Sequence, residues 1–153
     1  MRRLGAVLVF GVLAAAAAVA PAGGAPSARC EPTPNSGGGP DRDPVALRAK
    51  IGTGHVLTGV VLSTTCMPIA GARVSFWQSN RKGVYTNAGT GAVKTDRAGR
   101  FRFEGPMPTA YDGRPAHIHI NVEARDYQPL YTEYEPHGTR FGNVRLVLVP
   151  AAL

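Results

Sequence analysis

The sequence predicts an all-β domain, an antiparallel β-sandwich, on three observations. From position 55 onward, apolar residues recur at period two in runs of strand length. Clusters of Gly, Pro, Asn and Asp separate those runs and read as turns. No amphipathic pattern long enough for a helix follows the N-terminal apolar stretch. The domain so defined, residues 53–153, has the size of one small sandwich.

Before that domain the chain changes character twice. Arg2 and Arg3 precede an alanine-rich apolar run that ends near Ala20, and Ala20-Pro21-Ala22 offers a small-x-small cleavage site. Residues 1–28 are therefore expected to be a signal peptide, with cutting after Ala28 also possible. Pro21 and the glycines after it break the run, so no stable membrane anchor is expected, and export is the expected fate. Arg29 is the wrong neighbour for lipid attachment at Cys30. Residues 29–52 are rich in proline, glycine and charge and read as a flexible linker. One helical turn is expected at 45–50.

Seven strands follow. The first, 55–62, alternates so that Val56, Val60 and Leu62 are expected on one face. Strands at 72–78 and 92–95 come next, then 100–103, where Phe101 and Phe103 point inward between arginines. The last three are 117–124, 130–134 and 143–149, with Val144, Leu146 and Leu148 on one face. Cys30 and Cys66 are the two cysteines, and in an exported chain they are expected to form one disulfide. The formal net charge is +7, but the basic residues are scattered and no nucleic-acid motif accompanies them. Solvated strand faces explain them, and no nucleic-acid partner is expected.

The chemistry concentrates in Arg114-Pro115-Ala116-His117-Ile118-His119-Ile120-Asn121-Val122. Ile118, Ile120 and Val122 share the core face, so His117 and His119 stand side by side on the other. A solvated polar face is the competing reading of that pair. Tyr111 precedes His117 across the turn Asp112-Gly113, and Tyr85 ends the turn Arg81-Lys82-Gly83-Val84. Structural zinc sites favour thiolates and imidazoles, and calcium or magnesium favour carboxylates and carbonyls. Phenolate is a hard anionic donor that suits a trivalent ion, so two phenols with two imidazoles point to ferric iron. His55 and His137 stand alone near turns and read as surface residues. Trp77 reads as packing beside the site, and Asp96 as a turn residue.

Five stretches carry a family resemblance: Gly59-Val60-Val61; Pro68-Ile69-Ala70-Gly71-Ala72-Arg73-Val74; Trp77-Gln78-Ser79-Asn80 with Gly83-Val84-Tyr85; Thr95-Asp96 with Gly99-Arg100-Phe101-Arg102-Phe103; and Tyr111-Asp112-Gly113-Arg114-Pro115-Ala116-His117-Ile118-His119. Over about residues 55–135 the chain resembles the intradiol ring-cleavage dioxygenases, which open catechols and protocatechuate. The resemblance implies an Fe(III) cofactor held by Tyr85, Tyr111, His117 and His119, with a small aromatic diol and O2 as substrates. It implies that Tyr85 and His117 stay bound while catechol displaces Tyr111, whose phenolate then takes a substrate proton. It further implies that Arg114 stabilises the carbanion-like ring, and that the product is a muconic acid. Glu133 stands where the resemblance implies a glutamine. The helical N-terminal region of the larger family members has no counterpart here, so their dimer contacts do not carry over and the oligomeric state stays open. A non-catalytic sandwich of the transthyretin or carboxypeptidase-regulatory type shares the first, second and fourth stretches, but gives no reason to bring two tyrosines and two histidines together.

Overall fold

A computed structural model describes residues 29–37 and 45–152. The strands are β1 (His55–Ser63), β2 (Arg73–Ser79), β3 (Tyr85–Lys94), β4 (Arg100–Gly105), β5 (Ile118–Glu123), β6 (Leu130–Tyr134) and β7 (Phe141–Leu148). They form two sheets, ordered β4-β1-β7 and β3-β2-β5-β6, and no helix occurs among the described residues. This is the all-β sandwich expected. Its pairs are antiparallel except β1–β7, which is parallel. The signal peptide expected at 1–28 lies outside the described residues.

The two sheets bury Leu57 and Val61 from β1 against Val74 and Phe76 from β2 and Ile118, Ile120 and Val122 from β5. Phe103 of β4 stacks on Phe76 with ring centres 4.2 Å apart. Phe101 and Phe103 point inward as expected, and so do Leu146 and Leu148. Asp96 caps the β3–β4 turn: its Oδ1 accepts from the backbone N–H of Ala98 and of Arg100. Those bonds, that to Arg100 above all, hold its carboxyl below the usual value.

Three expectations need correction. In β1 Val56, Val60 and Leu62 share a face as expected, and it is the half-buried one, while the buried phase is His55, Leu57, Gly59, Val61 and Ser63. Both phases of this strand carry aliphatic residues, so alternation alone does not choose between them. Gly59 belongs to the inner phase, where a Cβ would come within 2.5 Å of the Phe101 ring. His55 is therefore buried rather than on the surface, with its ring beside Tyr134 and its Nδ1 2.8 Å from the Thr139 carbonyl. His137, by contrast, is exposed as expected.

Residues 45–50 form no helical turn. Leu47 and Lys50 make parallel bridges to Ala92 and Glu104, and Arg48 donates to the Asn87 and Thr90 carbonyls at 2.7 and 2.8 Å. Finally, the strand expected at 92–95 extends back to Tyr85. The described part of the predicted linker also lies on the sandwich. Thr33 N–H donates to Val147 and Ser36 N–H to Tyr131, which carries the segment from β7 to β6 across the open sheet edges.

Cys30 and Cys66 form a disulfide across 36 positions and fix the start of that segment beside Thr64. Closing a loop of this length stabilises the fold by up to about 3–4 kcal/mol in the chain-entropy model. The variant Cys30→Ser/Cys66→Ser is expected to unfold at lower urea concentration with its all-β spectrum intact. An unchanged midpoint would show that the bridge contributes nothing to stability.

Candidate metal centre

The site lies on the outer face of the four-stranded sheet. Core residues at 118, 120 and 122 force His117 and His119 to that face, as the alternation predicts. They are not solvated there, since both are almost fully buried. Trp77 of β2 lies directly opposite His119 in register, and Glu133 of β6 lies opposite it on the other side. The Trp77 and His119 rings stack nearly parallel with centres 5.4 Å apart.

The tyrosines arrive on turns. Register between β2 and β3 shifts between Trp77 and Ser79, and Tyr85 pairs with Ser79 just beyond the irregularity. The preceding turn is tied by Asn80, whose Oδ1 accepts from Lys82 N–H at 2.8 Å and Val84 N–H at 3.1 Å. Gly83 in this turn has φ +73°, and a Cβ there would come within 3.1 Å of the Tyr111 side chain. Tyr111 and Arg114 close a bridge around Asp112 and Gly113, both with positive φ.

Together these elements bring all four predicted ligands to one point. The Tyr85 hydroxyl touches the Tyr111 hydroxyl, and lies 2.8 Å from His119 Nε2 and 3.4 Å from His117 Nε2. The two Nε2 atoms are 3.3 Å apart. The histidines are nearly inaccessible while both tyrosines are half-buried, so the approach to the cluster lies on the tyrosine side.

The ring nitrogens on the far side decide what the near ones can do. His117 Nδ1 lies 2.7 Å from the Pro115 carbonyl, which can only accept, so it is protonated. His119 Nδ1 lies 3.2 Å from a carboxylate oxygen of Glu133, so it is protonated too. Burial holds the His119 imidazolium pKa down at about 4, so the ring is neutral near pH 7. The His119 Nε2 therefore carries a lone pair, aimed at the Tyr85 hydroxyl and at His117 Nε2. Burial, with the Tyr111 hydroxyl next, also pushes the Tyr85 phenol up, as expected for an oxygen that ionises only beside a positive charge.

His117, His119 and Glu133 also offer ligand atoms within 4.8 Å of one another. Glu133, however, occupies the Nδ1 side of His119, away from the converging Nε2 atoms, so it supports a ligand instead of being one. Its other oxygen is 2.6 Å from the Arg114 guanidinium. Arg114 thus reaches the cluster's surroundings through Glu133, with its side chain about half exposed (47%). Sequence reasoning noted Glu133 only as a departure from a pattern. Its strand phase was readable, but its register opposite His119 was not.

Residues 35–141 match the family model described as "Dioxygenase". The chain belongs to the intradiol ring-cleavage dioxygenase family. It is 29% identical over 111 residues to catechol 1,2-dioxygenase 1 of Acinetobacter lwoffii, covering 54% of this chain and 36% of that protein. It is 31% identical over 108 residues to hydroxyquinol 1,2-dioxygenase of a Rhizobium species, covering 53% and 37% respectively. The chain thus spans less than half the length of these curated relatives. Among solved structures, the dioxygenase domain of a dioxygenase–carbohydrate-binding protein fusion from Streptomyces sp. SirexAA-E superposes with TM-score 0.70 at 26% identity. That match covers 79% of this chain and all of that one.

Membership of the intradiol family leaves the pH response of the metal-free fold to this chain's own residues. In the unfolded chain His119 takes up a proton near its ordinary value of 6.5, but in the fold only near 4. Between those values the unfolded state holds more protons, so stability falls as pH drops from about 6.5 toward 4. The loss is expected to be on the order of 1–3 kcal/mol. Urea unfolding of metal-free wild type and His119→Asn across this range measures it. The variant should lose much of the slope, and equal slopes would remove His119 as its source.

Proposed function

We propose that the chain is an exported ferric intradiol dioxygenase that cleaves a catechol-type ring with O2 to a muconic acid-type product. The observation that carries this reading is the convergence of two imidazole lone pairs and two phenol oxygens at one point. Donors about 2.0–2.1 Å from an ion lie roughly 3 Å or slightly more from each other, which the separations among the Tyr85 hydroxyl and the two Nε2 atoms fit. Two hard phenolate oxygens select a strongly Lewis-acidic ion, and Tyr85, Tyr111, His117 and His119 are the residues that would hold Fe(III). The bound ion supplies the charge that ionises the phenols and draws both oxygens of a catechol.

The chain's own residues then have separable tasks. Pro115 and Glu133 hold the two imidazoles with Nε2 inward, and the Trp77 face limits rotation of the His119 ring. The Tyr111 phenolate oxygen, on the half-open side and carried by a short turn, accepts the proton that the diol gives up on binding. The Arg114 guanidinium, held on Glu133 beside His119, would stabilise negative charge that develops on the ring. The family's named relatives act on catechol and hydroxyquinol, and those two, with protocatechuate, are the first substrates to test. Export is supported by the N-terminal sequence pattern and by the disulfide, which is at home in an oxidising compartment.

Oxygen uptake with a panel of catechols, and mass analysis of the products, tests the reaction. Ring opening between the two hydroxyls, with both oxygen atoms retained, is expected. Arg114→Ala should keep iron and catechol binding and lose rate by roughly 10²–10³, the cost of one oxyanion donor. His117→Ala should lose iron and all turnover. An iron-loaded wild type that consumes no oxygen with any diol would contradict the proposal.

A further inference from the structure

The outer face of the sheet carries Trp77, His119 and Glu133 in one row, side by side across β2, β5 and β6. Glu133 divides its carboxylate between two partners. One oxygen lies 3.2 Å from His119 Nδ1, and the other 2.6 Å from the Arg114 guanidinium. Its side chain is about a quarter exposed (26%), so this bridge is only partly screened by water.

We propose that Glu133 is a positioning residue, and that its carboxylate clamps His119 in the Nδ1–H tautomer while anchoring that clamp on Arg114. This rests on the ferric reading above for the identity of the ion, though not for the tautomer. A carboxylate can only accept hydrogen bonds, so it admits a single protonation pattern on the facing nitrogen. The lone pair is thereby fixed on Nε2, where the other donors converge. A negative partner also raises the donor strength of the imidazole it holds. An amide in its place could turn an N–H₂ group toward Nδ1, and would accept the tautomer with its proton on Nε2, the wrong side for an ion. It would also lack the charge that ties Arg114 in place. The Trp77 ring fixes the plane of the imidazole but has no donor or acceptor on its face, so it does not choose the tautomer.

Glu133→Gln is the decisive variant because it keeps the shape and removes the charge. In metal-free protein, imidazole 15N spectra should show wild-type His119 as the Nδ1–H form and the variant as a mixture of tautomers. With ferric ion added, the variant should bind roughly 10–100-fold more weakly. Its phenolate-to-iron absorption should move to longer wavelength, because a weaker imidazole donor leaves the iron more electron-poor. Glu133→Asp keeps the charge but shortens the reach, and should fall between the two in every readout. A single Nδ1–H tautomer and unchanged iron affinity in both variants would overturn the proposal. If wild type bound no ferric ion, the proposed function would fall, while the metal-free spectra would still decide the role of Glu133.

Discussion

Two imidazole lone pairs 3.3 Å apart are the constraint on which the rest of the site depends. Nothing in β5 requires this arrangement, since a strand with alternating isoleucines would fold with polar residues of many kinds on its outer face. The arrangement is imposed from outside the strand. The Pro115 carbonyl accepts from Nδ1–H of one imidazole on its far side, the Glu133 carboxylate accepts from Nδ1–H of the other, and burial keeps both from relaxing into solvent. The Nε2 atoms so presented share the Tyr85 hydroxyl as a partner. The Tyr85 phenol is tuned the same way, since burial disfavours its ionisation until positive charge is present. The centre is in this sense built for an ion that brings more charge than a proton.

The sandwich supplies the rigidity this requires. Trp77, His119 and Glu133 are placed by three hydrogen-bonded strands whose opposite faces are locked into the core by Phe76, Ile118 and Ile120. The two phenols, by contrast, stand at a strand end and on a two-residue turn, where small backbone adjustments are possible without disturbing the core. The two nitrogens are thus held by the sheet itself, and the two phenol oxygens by its turns. The arginine fits the same division. It is anchored through Glu133 to the rigid part, yet half exposed on the side from which a substrate would arrive.

Much of this was legible in the sequence, for specific reasons. Period-two alternation placed six of the seven strands closely, and it set Ile118, Ile120 and Val122 against His117 and His119. The four candidate ligands were readable because each lies on that strand or at a turn marked by glycine. Alternation left the buried phase of β1 open because Val56, Val60 and Leu62 are as apolar as Leu57 and Val61, and the Phe101 ring that needs Gly59 decides it. His55, read as a surface residue, shares that buried phase. Residues 45–50 carry helix-favouring alanine and leucine, but tertiary bridges to β3 and β4 outweigh a single turn's weak propensity. The role of Glu133 was out of reach for another reason: it depends on the register between β5 and β6, and register is set by packing that no single segment encodes.

The most direct test is a titration of metal-free protein with ferric ion, followed by visible absorption. A phenolate-to-iron charge-transfer band that saturates at one equivalent, and changes in both Tyr85→Phe and Tyr111→Phe, is what a four-donor centre of this composition requires. Saturable binding without such a band, or a band indifferent to both tyrosines, would contradict it.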